Sequence, residues 1–235
     1  MLCPYCDKEI LNESVKCKYC KKNIDIEKCN QDAASNIIEV LKKNYKPVCA
    51  LNFKTKFELL AAVILSAQCS DERVNLISKS LFKKYKTIND YAKADISEFE
   101  LDIKSTGFYK NKAKSIIGCA KILIEKFNGE IPKDINELVK LPGVGRKTAN
   151  VVLGTGFGIT SGIVVDTHVK RLSNRIGLSS NADPEKIETE LARIIPKSEW
   201  IDFSHLLILH GRKICKARKP ECQGCKIEKW CAKKI

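Results

Sequence analysis

Two side chains that could carry out covalent chemistry lie in one short stretch of the sequence, Lys147 and Asp166. Lys147 follows Leu-Pro-Gly-Val-Gly-Arg at 141–146, in which the proline ends a preceding helix and the glycines permit a tight turn. The lysine falls in the first turn of a predicted helix, and Asp166 begins the next one. Together they offer an amine that can attack carbon and a carboxylate that can accept a proton or oppose positive charge.

The glycine-rich turn could also serve simply to bind phosphate. Backbone N–H groups at the start of a helix point toward whatever lies before it, and a DNA phosphate is a suitable ligand. Gly143, Gly145 and Arg146 are therefore candidate DNA contacts in a helix-hairpin-helix element. On spacing alone, a phosphate contact is the better role for Lys147, and an ordinary helix–helix turn also fits. The spacing of a nucleotide-binding P-loop is missing.

The charge of the chain predicts a polyanionic partner. The formal net charge is +14, and residues 210–235 carry nine Lys or Arg against two Glu, which is half of that excess. The sequence has neither an apolar run long enough to span a membrane nor the pattern of a secretory signal peptide. These features predict a cytoplasmic, nucleoid-associated protein.

Eight of the twelve cysteines form two clusters, and outside the secretory pathway clustered cysteines indicate metal sites. The N-terminal cluster has two CxxC pairs, which predict a zinc ribbon or, less favourably, a rubredoxin-like iron site; its members are Cys3, Cys6, Cys17 and Cys20. So short a module needs a metal to fold. The C-terminal cluster fits either zinc or a [4Fe–4S] cluster by spacing; its members are Cys215, Cys222, Cys225 and Cys231.

The region between the clusters is predicted to be helical. Apolar residues recur at helical spacing in segments 57–68, 74–85, 113–127 and 184–195, whereas the one strand-like segment, 162–165, could be a connector. The prediction is an all-α fold with two helical lobes. Its domains are a zinc-ribbon-like module at 1–28, a helical body at 29–209, whose second lobe is completed by N-terminal helices, and a cysteine loop at 210–235.

From about Ile37 to its C-terminus, the chain resembles the endonuclease III family of helix-hairpin-helix DNA glycosylases. The resemblance rests on the spacing of the last four cysteines and on five segments in the family's order, namely 57–60, 65–71, 141–150, 165–168 and 207–212. It implies that the C-terminal cysteines hold a [4Fe–4S] cluster and that the protein is a monomer acting on duplex DNA with damaged bases or abasic sites. The N-terminal ribbon lies outside the resemblance, and its partner could be DNA or a protein.

The resemblance also implies a mechanism, that of a bifunctional glycosylase/AP lyase for oxidised pyrimidines. Lys147 would attack C1′ of a flipped-out nucleotide and form a Schiff base, and Asp166 would assist it. Gln68 would fill the gap left by the flipped base. Phe108 would wedge into the base stack where the family has a bulky aliphatic residue, and Thr106 replaces a bulkier apolar residue beside it.

Two alternative functions remain open at this point. Mismatch glycosylases with similar motifs keep the aspartate but lack the lysine, so Lys147 favours the bifunctional class over a mismatch or uracil glycosylase. A non-catalytic iron–sulfur protein could use the hairpin merely to bind DNA. His168, two residues after Asp166, is interpreted as a structural hydrogen-bonding residue rather than a phosphate contact.

Overall fold

The computed structural model describes residues 16–23 and 25–233. Within these ranges the secondary structure is helical apart from one isolated antiparallel bridge between Lys16 and Asn23, so the all-α prediction is confirmed. The α-helices are α1 (Ile26–Asn44), α2 (Lys56–Ser66), α3 (Asp71–Lys84), α4 (Ile88–Ala92), α5 (Ile96–Asp102), α6 (Tyr109–Phe127), α7 (Ile135–Leu138), α8 (Arg146–Phe157), α9 (Thr167–Ile176), α10 (Pro184–Ile194) and α11 (Trp200–Lys213). Short 3-10 turns occupy Lys104–Thr106, Lys197–Glu199 and Glu228–Trp230. Residues 162–165 form a connector rather than a strand.

One compact unit comprises Cys49–Ser161 and contains α2 to α8. Its central helix is α2, in which every residue from Phe57 to Leu65 is buried, and α3, α6 and α8 pack around it. A helix that is buried on all sides has no polar face, which explains its run of apolar residues. Phe57 of this helix joins a group of four aromatic rings that pack edge-to-face or tilted, with Tyr85, Tyr91 and Phe99.

The other unit combines the chain up to Val48 with the chain from Gly162 onward. Helix α1 packs on α10 and α11, and α9 packs on α11. Its core includes Ile37 and Leu41 of α1 together with Leu172, Leu191 and Phe203. An N-terminal helix therefore completes this second unit. Helix α1 begins at Ile26, close to the predicted end of the N-terminal module at residue 28.

The second CxxC pair of the N-terminal cluster lies on a tight turn. The Cys20 N–H donates to Cys17 Sγ at 3.5 Å, and the Lys21 N–H donates to the Cys17 carbonyl at 2.9 Å. Lys21 has a left-handed backbone, with φ of 61°. Cys3 and Cys6 lie outside the described residues, so the four-cysteine zinc site stays a prediction.

Across residues 16–23 and 25–233, none of the helices combines the length and the apolar composition needed to cross a membrane.

Candidate active site and nucleic-acid interface

The glycine-rich turn connects α7 to α8 and packs closely on α6. Gly143 has φ of +71°, and a Cβ atom added to it would lie 2.6 Å from Ser115 Oγ and 2.8 Å from Ser115 Cβ. Glycine is therefore required at 143 both by the backbone and by the close approach. Gly145 is the N-cap residue of α8 and has no side chain that could cap the first N–H groups of that helix. This arrangement leaves the start of α8 suited to a phosphate ligand.

We expect Gly143→Ala to lower both the stability of the protein and its affinity for undamaged duplex DNA. The positive φ alone costs a non-glycine residue about 1–2 kcal/mol, and the contact with Ser115 forces the turn to shift. Gly158→Ala is the matched control, because Gly158 has φ of +66° and nothing within 4 Å of its added Cβ. Thermal unfolding and fluorescence anisotropy should show destabilisation in both variants but weaker DNA binding in Gly143→Ala alone. Equal binding by the two variants would contradict a DNA-contact role for the hairpin.

Lys147 is the second residue of α8, as the sequence predicts, and its side chain is exposed. Ala149 and Asn150, in the same helix, are buried, and the Asn150 side-chain oxygen accepts a hydrogen bond from Ser161 Oγ at 2.7 Å. The helix that carries Lys147 is thus anchored by the two residues that follow Thr148. An exposed amine on an anchored helix is accessible to a nucleic-acid sugar.

Asp166 is the N-cap residue of α9. Its Oδ1 accepts hydrogen bonds from the backbone N–H groups of His168 and Val169, both at 2.8 Å, and its Oδ2 lies 3.1 Å from His168 Nδ1. The carboxylate is 17% exposed. Its orientation is therefore fixed by the helix it caps and by the His168 imidazole, and the structural role of His168 rather than a phosphate contact stays a prediction. Asp166 lies in the unit formed by Met1–Val48 and Gly162–Ile235, whereas Lys147 lies in the unit Cys49–Ser161.

Gln68 and Phe108 both lie in turns with a left-handed backbone. Their φ values are 54° and 49°, and both side chains are exposed, with Phe108 at 66%. A left-handed backbone is uncommon for residues other than glycine, and strained backbone of this kind clusters at functional sites. The helical spacing predicted through Gln68 ends earlier, at Ser66, because Ser70 already caps the next helix.

Two neighbours of these turns have roles that the sequence left unassigned. Thr106 is 2% exposed and donates its hydroxyl to the Ile103 carbonyl at 2.8 Å, so it stabilises its own turn. Lys112 is buried, and its Nζ donates to the carbonyls of Leu65 and Thr106, both at 2.8 Å. The sequence feature that indicates burial of Lys112 is its position four residues before Ile116, on the apolar face of α6.

The four C-terminal cysteines line one largely apolar cavity, together with Leu172, Ile176, His210 and Ile214. Among the described residues no three His, Cys, Asp or Glu side chains form a group that could hold a single metal ion. The four cysteines therefore border one shared space. Burial raises the pKa of the Cys225 and Cys231 thiols, and the nearby cysteines raise it further.

Residues of α9 and α11 support this cysteine loop. Arg175 donates to the carbonyls of Lys216 and Ala217, both at 2.7 Å. His210 Nε2 lies 3.5 Å from Cys225 Sγ, and burial lowers the pKa of the imidazole to about 4. The imidazole is therefore neutral at physiological pH and places no buried positive charge beside Cys225.

The chain is similar to known proteins over most of its length. The family model described as HhH-GPD superfamily base excision DNA repair protein matches residues 61–197. Endonuclease III of Synechocystis sp. (strain ATCC 27184 / PCC 6803 / Kazusa) is 50% identical over 199 residues, which cover 84% of this chain and 91% of that protein.

Two solved structures have the same fold. A non-covalent endonuclease III–DNA complex has a TM-score of 0.81 and 45% identity, covering 87% of this chain and 95% of that one. A trapped endonuclease III–DNA covalent intermediate, an estranged-adenine complex, has a TM-score of 0.80 and 45% identity, covering 87% of this chain and 96% of that one. Similarity at this level extends to the activity as well as the fold. The chain therefore belongs to the endonuclease III family, the DNA glycosylase/AP lyases of base excision repair.

Proposed function

We propose that this enzyme, acting as a monomer, removes oxidised pyrimidines from duplex DNA and cuts the strand 3′ to the resulting abasic site by β-elimination. The observation that carries the proposal is the exposed Lys147 at the start of α8, directly behind a glycine turn suited to phosphate. A mismatch glycosylase that activates water would not need an amine at this position. Because the substrate is chromosomal DNA, we place the reaction in the cytoplasm, at the nucleoid.

The proposed reaction uses the two residues in sequence. The Lys147 amine gives a proton to Asp166 and attacks C1′, the bond from C1′ to the base breaks, and the base leaves with that electron pair and takes up a proton. The nitrogen lone pair then expels O4′, so the bond from C1′ to O4′ breaks, O4′ takes up a proton as a hydroxyl, and a ring-opened Schiff base forms. Removal of a C2′ proton then expels the 3′ phosphate with its bonding electrons, which breaks the strand. The Asp166 carboxylate also opposes the positive charge that develops on the sugar.

Borohydride trapping tests this function directly. Borohydride reduces a Schiff base to a stable amine, so a bifunctional enzyme incubated with thymine-glycol duplex becomes covalently attached to the DNA. We expect a shifted protein–DNA band on a denaturing gel. Release of the base without an adduct would indicate a mismatch or uracil glycosylase, and binding without either product would indicate a non-catalytic DNA-binding protein. Each of those two outcomes contradicts the proposal.

The proposed DNA contacts divide by type. Gly143, Gly145 and Arg146 would hold a phosphate at the start of α8, which positions the enzyme without reading sequence. Gln68 would occupy the space of the extruded base, and Phe108 would enter the stack beside it. The exposed, strained positions of Gln68 and Phe108 support these roles. Because much of the affinity would come from phosphates, binding should weaken steeply with salt.

We further propose that Cys215, Cys222, Cys225 and Cys231 hold a [4Fe–4S] cluster. Four thiols around one cavity fit a cluster in which each iron takes one thiolate, and a bound cationic cluster offsets the mutual repulsion of these thiolates. The cluster would serve to order the basic loop for the DNA backbone. At the N-terminus, we propose that Cys3, Cys6, Cys17 and Cys20 bind a zinc ion. The turn that brings Cys17 and Cys20 together is suited to a thiolate site.

Metal analysis separates these two assignments. We expect the purified protein to be brown and to contain about four irons and about one zinc per chain. Cys225→Ser should lower the iron content and the visible absorption while keeping the zinc. Cys29→Ser is the control, because Cys29 belongs to neither cluster and should leave both contents unchanged. A colourless wild-type protein with two zinc ions would show that the iron–sulfur assignment is wrong.

A further inference from the structure

Lys112 is a buried lysine in the middle of a structured unit. It is 5% exposed, and its amino group donates to two backbone carbonyls, those of Leu65 and Thr106, at 2.8 Å each. Burying a lysine amino group is costly unless hydrogen bonds compensate for the lost water. A residue with a methyl end would fill the same space on the apolar face of α6 without that cost. The amino group is therefore present for the bonds it makes.

Both carbonyls lie at the ends of helical segments. Leu65 is in the last turn of α2, which ends at Ser66, and Thr106 is the last residue of the 3-10 turn Lys104–Thr106. Carbonyls at helix ends lack partners within the helix and carry partial negative charge, so a cationic donor stabilises them. The amino group of Lys112 thus connects the two segments at the points where they stop being helical.

The chain that follows each of these ends leads directly to a candidate DNA-contact residue. Gln68 comes three residues after Leu65, and Phe108 comes two residues after Thr106. Both have a left-handed backbone, which persists only when the surrounding structure holds it in place. The hydrogen bonds of Lys112 hold both turns from a single atom, so the position of one turn is tied to the position of the other.

We propose that Lys112 is a positioning residue for base extrusion, which holds Gln68 and Phe108 at the separation needed to replace a flipped nucleotide in the duplex. This inference rests on the proposed function, because it gives Gln68 and Phe108 their roles in the stack. Lys112 itself is buried and acts through the two turns. The sugar chemistry at Lys147 is a separate step, so loss of Lys112 should impair extrusion much more than Schiff-base formation.

Lys112→Met tests the proposal, because methionine has an unbranched apolar side chain one atom shorter than the lysine side chain and removes the donor. Two substrates are compared under single-turnover conditions. One is a duplex with paired thymine glycol, which must be extruded, and the other is single-stranded DNA with an abasic site, which has no base to extrude or partner to replace. Lys121→Met, at an exposed lysine of the same helix, is the matched control.

We expect Lys112→Met to slow base excision from the duplex by on the order of 10- to 100-fold, since small misplacements of positioning groups have effects of this size. Borohydride trapping on the single-stranded abasic DNA should stay within about twofold of wild type, and Lys121→Met should match wild type on both substrates. A fluorescent base analogue opposite the lesion should report reduced unstacking in Lys112→Met. In a Phe108→Ala background the Lys112→Met effect should shrink, because the two residues act in one step.

Two results would overturn the inference. One is an equal loss on both substrates accompanied by a lower unfolding temperature, which would make Lys112 a general stabilising residue. The other is an unchanged rate of excision from the duplex. If Lys112→Met does not fold, Lys112→Arg takes its place in the same comparison, because it keeps a donor but displaces it. Failure of the proposed function would look different, since the wild-type enzyme would then form no trapped adduct with abasic DNA.

Discussion

Lys147→Gln is expected to abolish the borohydride-trapped adduct and to lower the rate of strand cleavage at an abasic site by at least about 1,000-fold, a loss of about 4 kcal/mol of transition-state stabilisation. Glutamine has a similar length but no nucleophilic nitrogen. The side chain is exposed, so the fold should be unaffected. DNA affinity should fall modestly, through the loss of one positive charge near the backbone. Single-turnover cleavage and anisotropy measure the two effects separately.

Arg146→Gln is the control that distinguishes a nucleophile from a phosphate contact. Arg146 is the neighbouring residue in the first turn of α8 and is also exposed and cationic. If it binds a phosphate, its replacement should weaken binding to all duplexes and reduce the salt dependence by about one unit. The adduct should still form once the enzyme is saturating. An adduct that persists in Lys147→Gln would return Lys147 to the role of a phosphate contact, which is the role that spacing alone favours.

Much of this site could be predicted from the sequence because its determinants are local. A proline and two glycines mark the turn before α8, and they place Lys147 in the first helical turn whatever the rest of the chain does. An aspartate before Thr-His-Val is a typical N-cap, and Asp166 indeed caps α9. The cysteine spacing likewise predicted which thiols share a cavity.

The parts that the sequence did not predict depend on contacts between distant segments. The short helices α4, α5 and α7 lack a long enough apolar pattern to be recognised. The end of α2 at Ser66 depends on the cap of α3 and on a hydrogen bond from α6. The sequence does not indicate the role of Lys112, because a lysine usually lies on a solvated face and the partners of this one are 47 and 6 residues away.

Asp166→Asn is expected to lower single-turnover base excision by about 100- to 10,000-fold while DNA affinity stays within a few-fold of wild type. The structure indicates that this substitution keeps the helix cap and alters the contact between Oδ2 and His168 Nδ1. Asp166 Oδ1 caps α9 through the N–H groups of His168 and Val169, and asparagine caps helices as well as aspartate does. The helix should therefore keep its start, and the change removes the negative charge and the proton acceptor. Asp166→Ala would also cost about 1 kcal/mol of stability through the lost cap.

The matched control for this charge is Asp183→Asn. Asp183 caps α10 in the same way, accepting from the N–H groups of Glu185 and Lys186 at 2.9 and 3.1 Å, but it is exposed. Both variants remove one negative charge from a helix N-cap, so any general gain in attraction to DNA is shared. A rate loss confined to Asp166→Asn would then measure charge acting on the reacting sugar. Wild-type excision in Asp166→Asn would instead reduce Asp166 to a helix cap, and the acceptor for the Lys147 proton would have to be another group.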